Sequence, residues 1–143
     1  MAILAYTTTV AVDKTVAEIQ KMLAKGGARQ VLAEFDDHGN VTAVAFSVDT
    51  PHGLRQFFLP AHPDKVLAVL ERDRVPGRYR TIEQAERVAW RILKTWVAAQ
   101  LALIDTEMVT LAQVMLPYMQ TGDGLSVWES FETWSHALES GDR

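Results

Sequence analysis

The chain has no cysteine, which excludes disulfides, thiolate-held zinc and a cysteine nucleophile, and fits a reducing cytosol. It also lacks a long hydrophobic run. Its most apolar stretch, residues 97–104, sits inside a charged helical pattern and is far too short to span a bilayer. The first seven residues carry neither the basic flank nor the longer apolar segment of a signal peptide. These absences lead to the expectation of a cytoplasmic protein without membrane association. No internal repeat, low-complexity run or linker divides the 143 residues, so one domain large enough to bury its own core is expected. Within it, residues 1–60 read as a sheet-forming half, 61–138 as a helical half and 139–143 as a frayed tail.

Catalytic motifs are missing too. No serine or threonine lies in a G-x-S-x-G elbow, and no glycine-rich phosphate cradle is present, since Gly26-Gly27 reads better as a helix stop. His38, His52 and His62 fall in turns near Asp36, Asp37, Asp49 and Asp64, but no HxH or HExxH spacing draws them together. Neither a metal site nor a cofactor is expected. The residues point to binding rather than chemistry.

What the chain does have is uneven charge. The net charge is −4, yet residues 72–94 carry seven bases against three acids, leaving +4. Residues 101–143 carry one base against seven acids, leaving −6. Such polarity fits either a local anion site or a tail that folds back to neutralise the loop. The basic cluster centres on a Pro-Gly loop with Arg72, Arg74, Arg78, Tyr79 and Arg80, and Arg87, Arg91 and Lys94 extend it along the following helix. Guanidinium forks suit phosphates, and a nearby aromatic suits base stacking, so these eight residues form the candidate nucleic-acid-binding set. The competing reading is a solvated loop paired with Glu71, Asp73, Glu83 and Glu86. No helix-turn-helix, RNP, KH or zinc-finger signature accompanies the loop.

Hydrophobic periodicity supplies the fold class. Residues 3–12 are rich in β-branched side chains and read as a strand. Thr15 and Glu18 then have capping-box spacing, followed by a helix with Val16, Ile19, Met22 and Leu23 on one stripe. Residues 30–35, 41–49 and 54–59 alternate as three strands joined by turns, an antiparallel meander. The small side chains Ala43, Ala45 and Ser47 share one face, fit for close approach by a helix or another chain. Pro63 starts a helix to about residue 71, and Thr81 caps a long helix to about residue 106. Two further helical segments follow, the first closed by Pro117 and the second over residues 125–138. The expected architecture is α+β: an antiparallel sheet of about four strands (β-α-β-β-β-α), a long central helix and two C-terminal helical segments.

On the last segment Trp128, Phe131 and Trp134 form an aromatic stripe. Such a stripe is ordinarily core, but with Asp123, Glu129 and Glu132 around it this one also fits a protein or homo-oligomer interface. Trp90 and Trp96, six residues apart on the long helix, point in different directions, and at least one is expected to be partly exposed.

The stretch from Gln84 to Trp96, its continuation Ala99-Gln100-Leu101-Ala102-Leu103, the segment Leu116-Pro117-Tyr118-Met119 and the upstream Phe57-Phe58-Leu59-Pro60 together resemble small proteins found in tailed-phage and prophage genomes. The resemblance covers most of the chain. It implies a viral accessory context and supplies no chemistry. Two functions are therefore carried forward: a non-enzymatic accessory protein binding nucleic acid, single-stranded by preference, through the arginine loop, or a protein-interaction module that modulates a host protein or builds a homo-oligomer.

Overall fold

The computed structural model describes residues 2–139. Three antiparallel strands, β1 (Ala28–Phe35), β2 (Val41–Thr50) and β3 (Gly53–Pro60), pair in chain order. Around them lie α1 (Val12–Lys25), α2 (Pro63–Arg72), α3 (Ile82–Asp105), α4 (Leu111–Met115) and α5 (Val127–Glu139), with 3₁₀ turns at Gly77–Tyr79 and Leu116–Tyr118. The fold is α+β, as its pattern of elements implies. The expected frayed tail begins at Glu139, which is the last residue of α5; residues 140–143 lie outside the described residues.

The expected first strand is not formed. Residues 4–7 make a turn, residues 8–11 run without a ladder partner, and the sheet has three strands rather than about four. The reason lies in tertiary contacts that outweigh β propensity. The Tyr6 and Thr8 carbonyls accept hydrogen bonds from the Gln84 side-chain amide at 2.8 and 3.0 Å. Ile3 and Tyr6 pack against the buried cluster of Leu70, Val75 and Ala85. The segment is tied down by α3 instead of by a sheet neighbour.

The capping box expected at Thr15 and Glu18 is likewise displaced. α1 starts at Val12 after Ala11, which offers no side-chain cap, and Thr15 is fully buried inside the helix. Its hydroxyl and the Glu18 carboxylate face α3, where basic side chains claim them. The apolar stripe itself is as expected, with Val16, Ile19 and Leu23 buried. α1 then stops at the glycine pair. Gly27 takes a positive φ of 115°, and a Cβ on Gly26 would run into the Leu101 side chain of α3.

The core sits between one sheet face and the helices. Val44, Phe46, Val48, Phe57 and Leu59 from the sheet meet Ile19 and Leu23 of α1, Trp90 and Val97 of α3, and Leu111 and Met115 of α4. Phe46 and Phe57 stack across the ladder with ring centroids 5.2 Å apart. Trp90 is buried, whereas Trp96 is half-buried against Tyr118, so the two tryptophans do diverge. On the opposite sheet face Ala43 and Ser47 are buried and Ala45 half-buried, and the Ser47 hydroxyl has no hydrogen-bond partner among the described residues. Leu32, across the ladder from Ala45, is half exposed. No helix of the described residues is long and apolar enough to cross a membrane.

Candidate nucleic-acid interface

The arginine loop is built from the C-terminus of α2. Val75 N–H donates to the Leu70 carbonyl at 3.4 Å and Arg74 N–H to the Glu71 carbonyl at 3.2 Å, the paired bonds of a Schellman ending. The apolar contact of that motif is present, since Val75 and Leu70 are buried in one cluster. What departs from the motif is Arg74, which occupies the left-handed position at φ 53° where glycine is the usual choice. Val75 thus anchors the loop from beneath, and Pro76 leads into the 3₁₀ turn that carries Arg78 and Tyr79. Thr81 closes the loop by capping α3, its hydroxyl accepting from Gln84 N–H at 3.2 Å. The Gln84 side chain does not complete a capping box, because it is spent on the N-terminal carbonyls.

The eight basic-cluster residues divide into two groups. Arg74, Arg78 and Arg80 are exposed and pair with no carboxylate among the described residues. Arg72 contacts Asp73 at 3.0 Å while remaining largely exposed, and such a surface pair contributes little. Glu71, Glu83 and Glu86, which might have neutralised the loop, do not pair with it, and neither do the described acids of the C-terminal segments. Tyr79 is half-buried, edge-to-face against Tyr6 at 5.5 Å, and the Arg78 guanidinium lies 4.8 Å from its ring centroid. Part of the ring expected to stack on a base is therefore already occupied.

The second group is engaged internally, Arg91 and Lys94 by a carboxylate and Arg87 by a neutral amide. Arg87 donates through Nε and Nη2 to Gln84 Oε1 at 3.0 and 2.8 Å. Arg91 reaches Thr15 Oγ1 and Glu18 Oε2, each at 3.5 Å, and Lys94 pairs with the same Glu18 oxygen. The Lys94 hydrogen bond, helped by Arg91, holds the Glu18 carboxyl below the usual carboxylate range. Arg91 and Lys94 thus fasten α1 to α3 and are not a free extension of the loop. Glu86 has the opposite environment: burial raises its carboxyl above the ordinary value, and the Glu83 charge adds to the effect.

The aromatic stripe of α5 is on the surface. Trp128, Phe131 and Trp134 are 53%, 47% and 59% exposed, so the core reading of this stripe fails. Neighbouring rings contact one another, Trp128 to Phe131 at 5.5 Å and Phe131 to Trp134 at 6.1 Å. Glu129, read from sequence as part of an acidic rim, instead forms a capping box with Ser126, each accepting from the other's backbone N–H. The helix packs chiefly against the 116–118 turn. Between β3 and α5 lies a cleft of about 720 Å³, lined by Phe58, Pro60, His62, Tyr118, Trp128 and Glu129 among others. It contains no arginine or lysine and is far from the loop in character, so it suits an apolar partner and not a polyanion. Sequence reading missed Phe58, His62 and Tyr118 here because only the chain's return along the edge of β3, through the Phe57–Met119 bridge, brings them beside α5.

Among the described residues no three histidine, aspartate or glutamate side chains converge to hold a metal ion. The Asp36 carboxylate is occupied within its own turn, accepting from the His38 and Asn40 backbone N–H groups at 2.8 and 2.9 Å. Comparison of the chain with family models, with curated proteins and with solved structures finds no match.

Proposed function

We propose that this is a non-enzymatic, phage-type accessory protein that binds nucleic acid, single-stranded by preference, through Arg72, Arg74, Arg78 and Arg80. The observation that carries this reading is that Arg74, Arg78 and Arg80 pair with no carboxylate among the described residues, while the other clustered cations are engaged. Arg74 adds a second support. A non-glycine residue held at positive φ costs about 1–2 kcal/mol relative to right-handed backbone, and glycine would relieve it. An arginine in place of glycine there fits a use for the side chain itself. The resemblance to small proteins of tailed phages supports a viral setting in a host cytoplasm.

The test is retention of labelled single- and double-stranded oligonucleotides at low salt. Wild-type protein should retain the single strand, and the Arg74→Ala, Arg78→Ala, Arg80→Ala triple variant should lose affinity alike for every sequence. No retention of either strand type by wild-type protein would remove the reading.

The exposed aromatic stripe of α5 favours a second reading, a protein-interaction module using Trp128, Phe131 and Trp134 toward a host protein or a second copy. Apolar faces of this kind are costly to leave in water and are characteristic of interfaces. The two readings occupy separate surfaces and are not exclusive.

A further inference from the structure

Where the N-terminal threonine run meets the arginine loop, a cleft of about 290 Å³ is lined by Thr7, Thr8, Thr9, Arg78 and Arg87, with Gln84 and Tyr79 completing it. No carboxylate of the described residues lines it. We propose that this cleft binds a phosphomonoester, and, resting on the nucleic-acid reading above, that it takes the phosphorylated end of a strand.

Both cations in the cleft are held in place. Gln84 is 4% exposed and every one of its side-chain groups is used: the amide donates to the Tyr6 and Thr8 carbonyls, and Oε1 accepts twice from Arg87. This clamp pins the threonine run to α3 and fixes the Arg87 guanidinium by two of its N–H groups, with Nη1 left over. Arg78 is oriented separately, by its place over the Tyr79 ring and that ring's edge-to-face contact with Tyr6. Thr8 Oγ1 accepts from Val10 N–H at 3.2 Å, which leaves its own proton to donate, and Thr7 and Thr9 are exposed.

Charge and donor number favour a monoester over the diester of a continuing chain. Two guanidinium groups balance a dianion, whereas an internal phosphate carries one charge. Three hydroxyls and the remaining guanidinium N–H groups match three terminal oxygens, whereas a diester presents two. The volume falls just below the range of small-ligand pockets, roughly 300–1,000 Å³. It suits a phosphate with its sugar better than a run of nucleotides.

The experiment uses the full chain and one single-stranded oligonucleotide sequence with a 5′-phosphate, a 3′-phosphate or hydroxyl ends, followed by fluorescence anisotropy. Competition with a nucleoside 5′-monophosphate and with inorganic phosphate forms the second arm. One phosphorylated end should bind about ten-fold tighter than the hydroxyl-ended strand, the size expected of one or two charge-assisted hydrogen bonds. The isosteric double variant Thr7→Val, Thr9→Val should erase that preference while keeping wild-type affinity for the hydroxyl-ended strand. Arg78→Gln, a surface change that leaves the fold intact, should weaken binding of all strands and the preference together. Equal affinity for all three ends overturns the proposal and leaves the arginine-loop reading standing. Competition by the monophosphate that is lost in the threonine variant, without binding of any strand, upholds the cleft with a free nucleotide as its ligand and removes the nucleic-acid reading. Absence of binding to every probe sinks both.

Discussion

Arg74, Arg78 and Arg80 are exposed without an acidic partner among the described residues, whereas Arg91 and Lys94 close on Glu18. From the sequence all eight basic-cluster residues look alike, because the spacing of bases along a helix says which face they share and not what faces them. The acid that claims Arg91 and Lys94 lies 76 positions from Lys94, and the Gln84 amide that claims Arg87 from one turn earlier on α3 also binds the distant Tyr6 and Thr8 carbonyls. On the proposed reading, stability and function pull in opposite directions at Arg74. Arg74→Gly should stabilise the fold by about 0.5–1 kcal/mol, since glycine accepts positive φ without a Cβ penalty, and should weaken oligonucleotide binding. Denaturant unfolding and an anisotropy titration of the same variant check both halves, and a destabilised variant would contradict the backbone argument. Glu86 offers a test of sign with pH. Burial raises its carboxyl in the folded state, so its stability contribution is fully present in acid. It is lost as pH climbs from the ordinary carboxylate range through the raised value. Glu86→Gln should match wild type in thermal midpoint under acid conditions and exceed it at neutral pH. A midpoint lower than wild type at neutral pH would show that the charge has a partner.

At the scale of elements, the meander and the long α3 were legible because alternation, turn chemistry and caps all agree there. Asp36, Gly39 and Gly53 shape the two hairpins, and Thr81 caps α3 where the pattern begins. The first ten residues misled because their β-branched pattern is local, while the bonds that hold them come from Gln84, far along the chain. The Thr15 and Glu18 pair misled for the same reason. α5 was legible as a helix but not as a surface element, since an apolar stripe looks the same whether it is covered by its own chain or left open. Its main packing partner is the adjacent 116–118 turn, so deleting residues 125–143 should lower the unfolding free energy by less than about 1 kcal/mol. Losing one buried aromatic side chain costs about 3–5 kcal/mol. A drop of that larger size on deletion would show that α5 belongs to the core and would end its candidacy as an interface.

For the whole molecule, charge is segregated by position in space as well as in sequence. The basic loop lies at the junction of α2 and α3, and the acidic aromatic helix lies beside β3, across the cleft of about 720 Å³. The described acids of the C-terminal segments do not reach back to the loop arginines, so the positive patch is not neutralised by them. A molecule of net charge −4 repels a polyanion at long range, and only a local, unpaired cluster overcomes that repulsion at contact. Affinity of that origin is salt-dependent, because each phosphate neutralised releases condensed counterions.

The decisive measurement is the salt dependence of single-stranded oligonucleotide binding by wild-type protein and by the Arg74→Ala, Arg78→Ala, Arg80→Ala variant. If the three side chains each neutralise one phosphate, the slope of log affinity against log salt should become shallower by about two in the variant. Identical slopes for the two proteins would mean that the loop touches no phosphate.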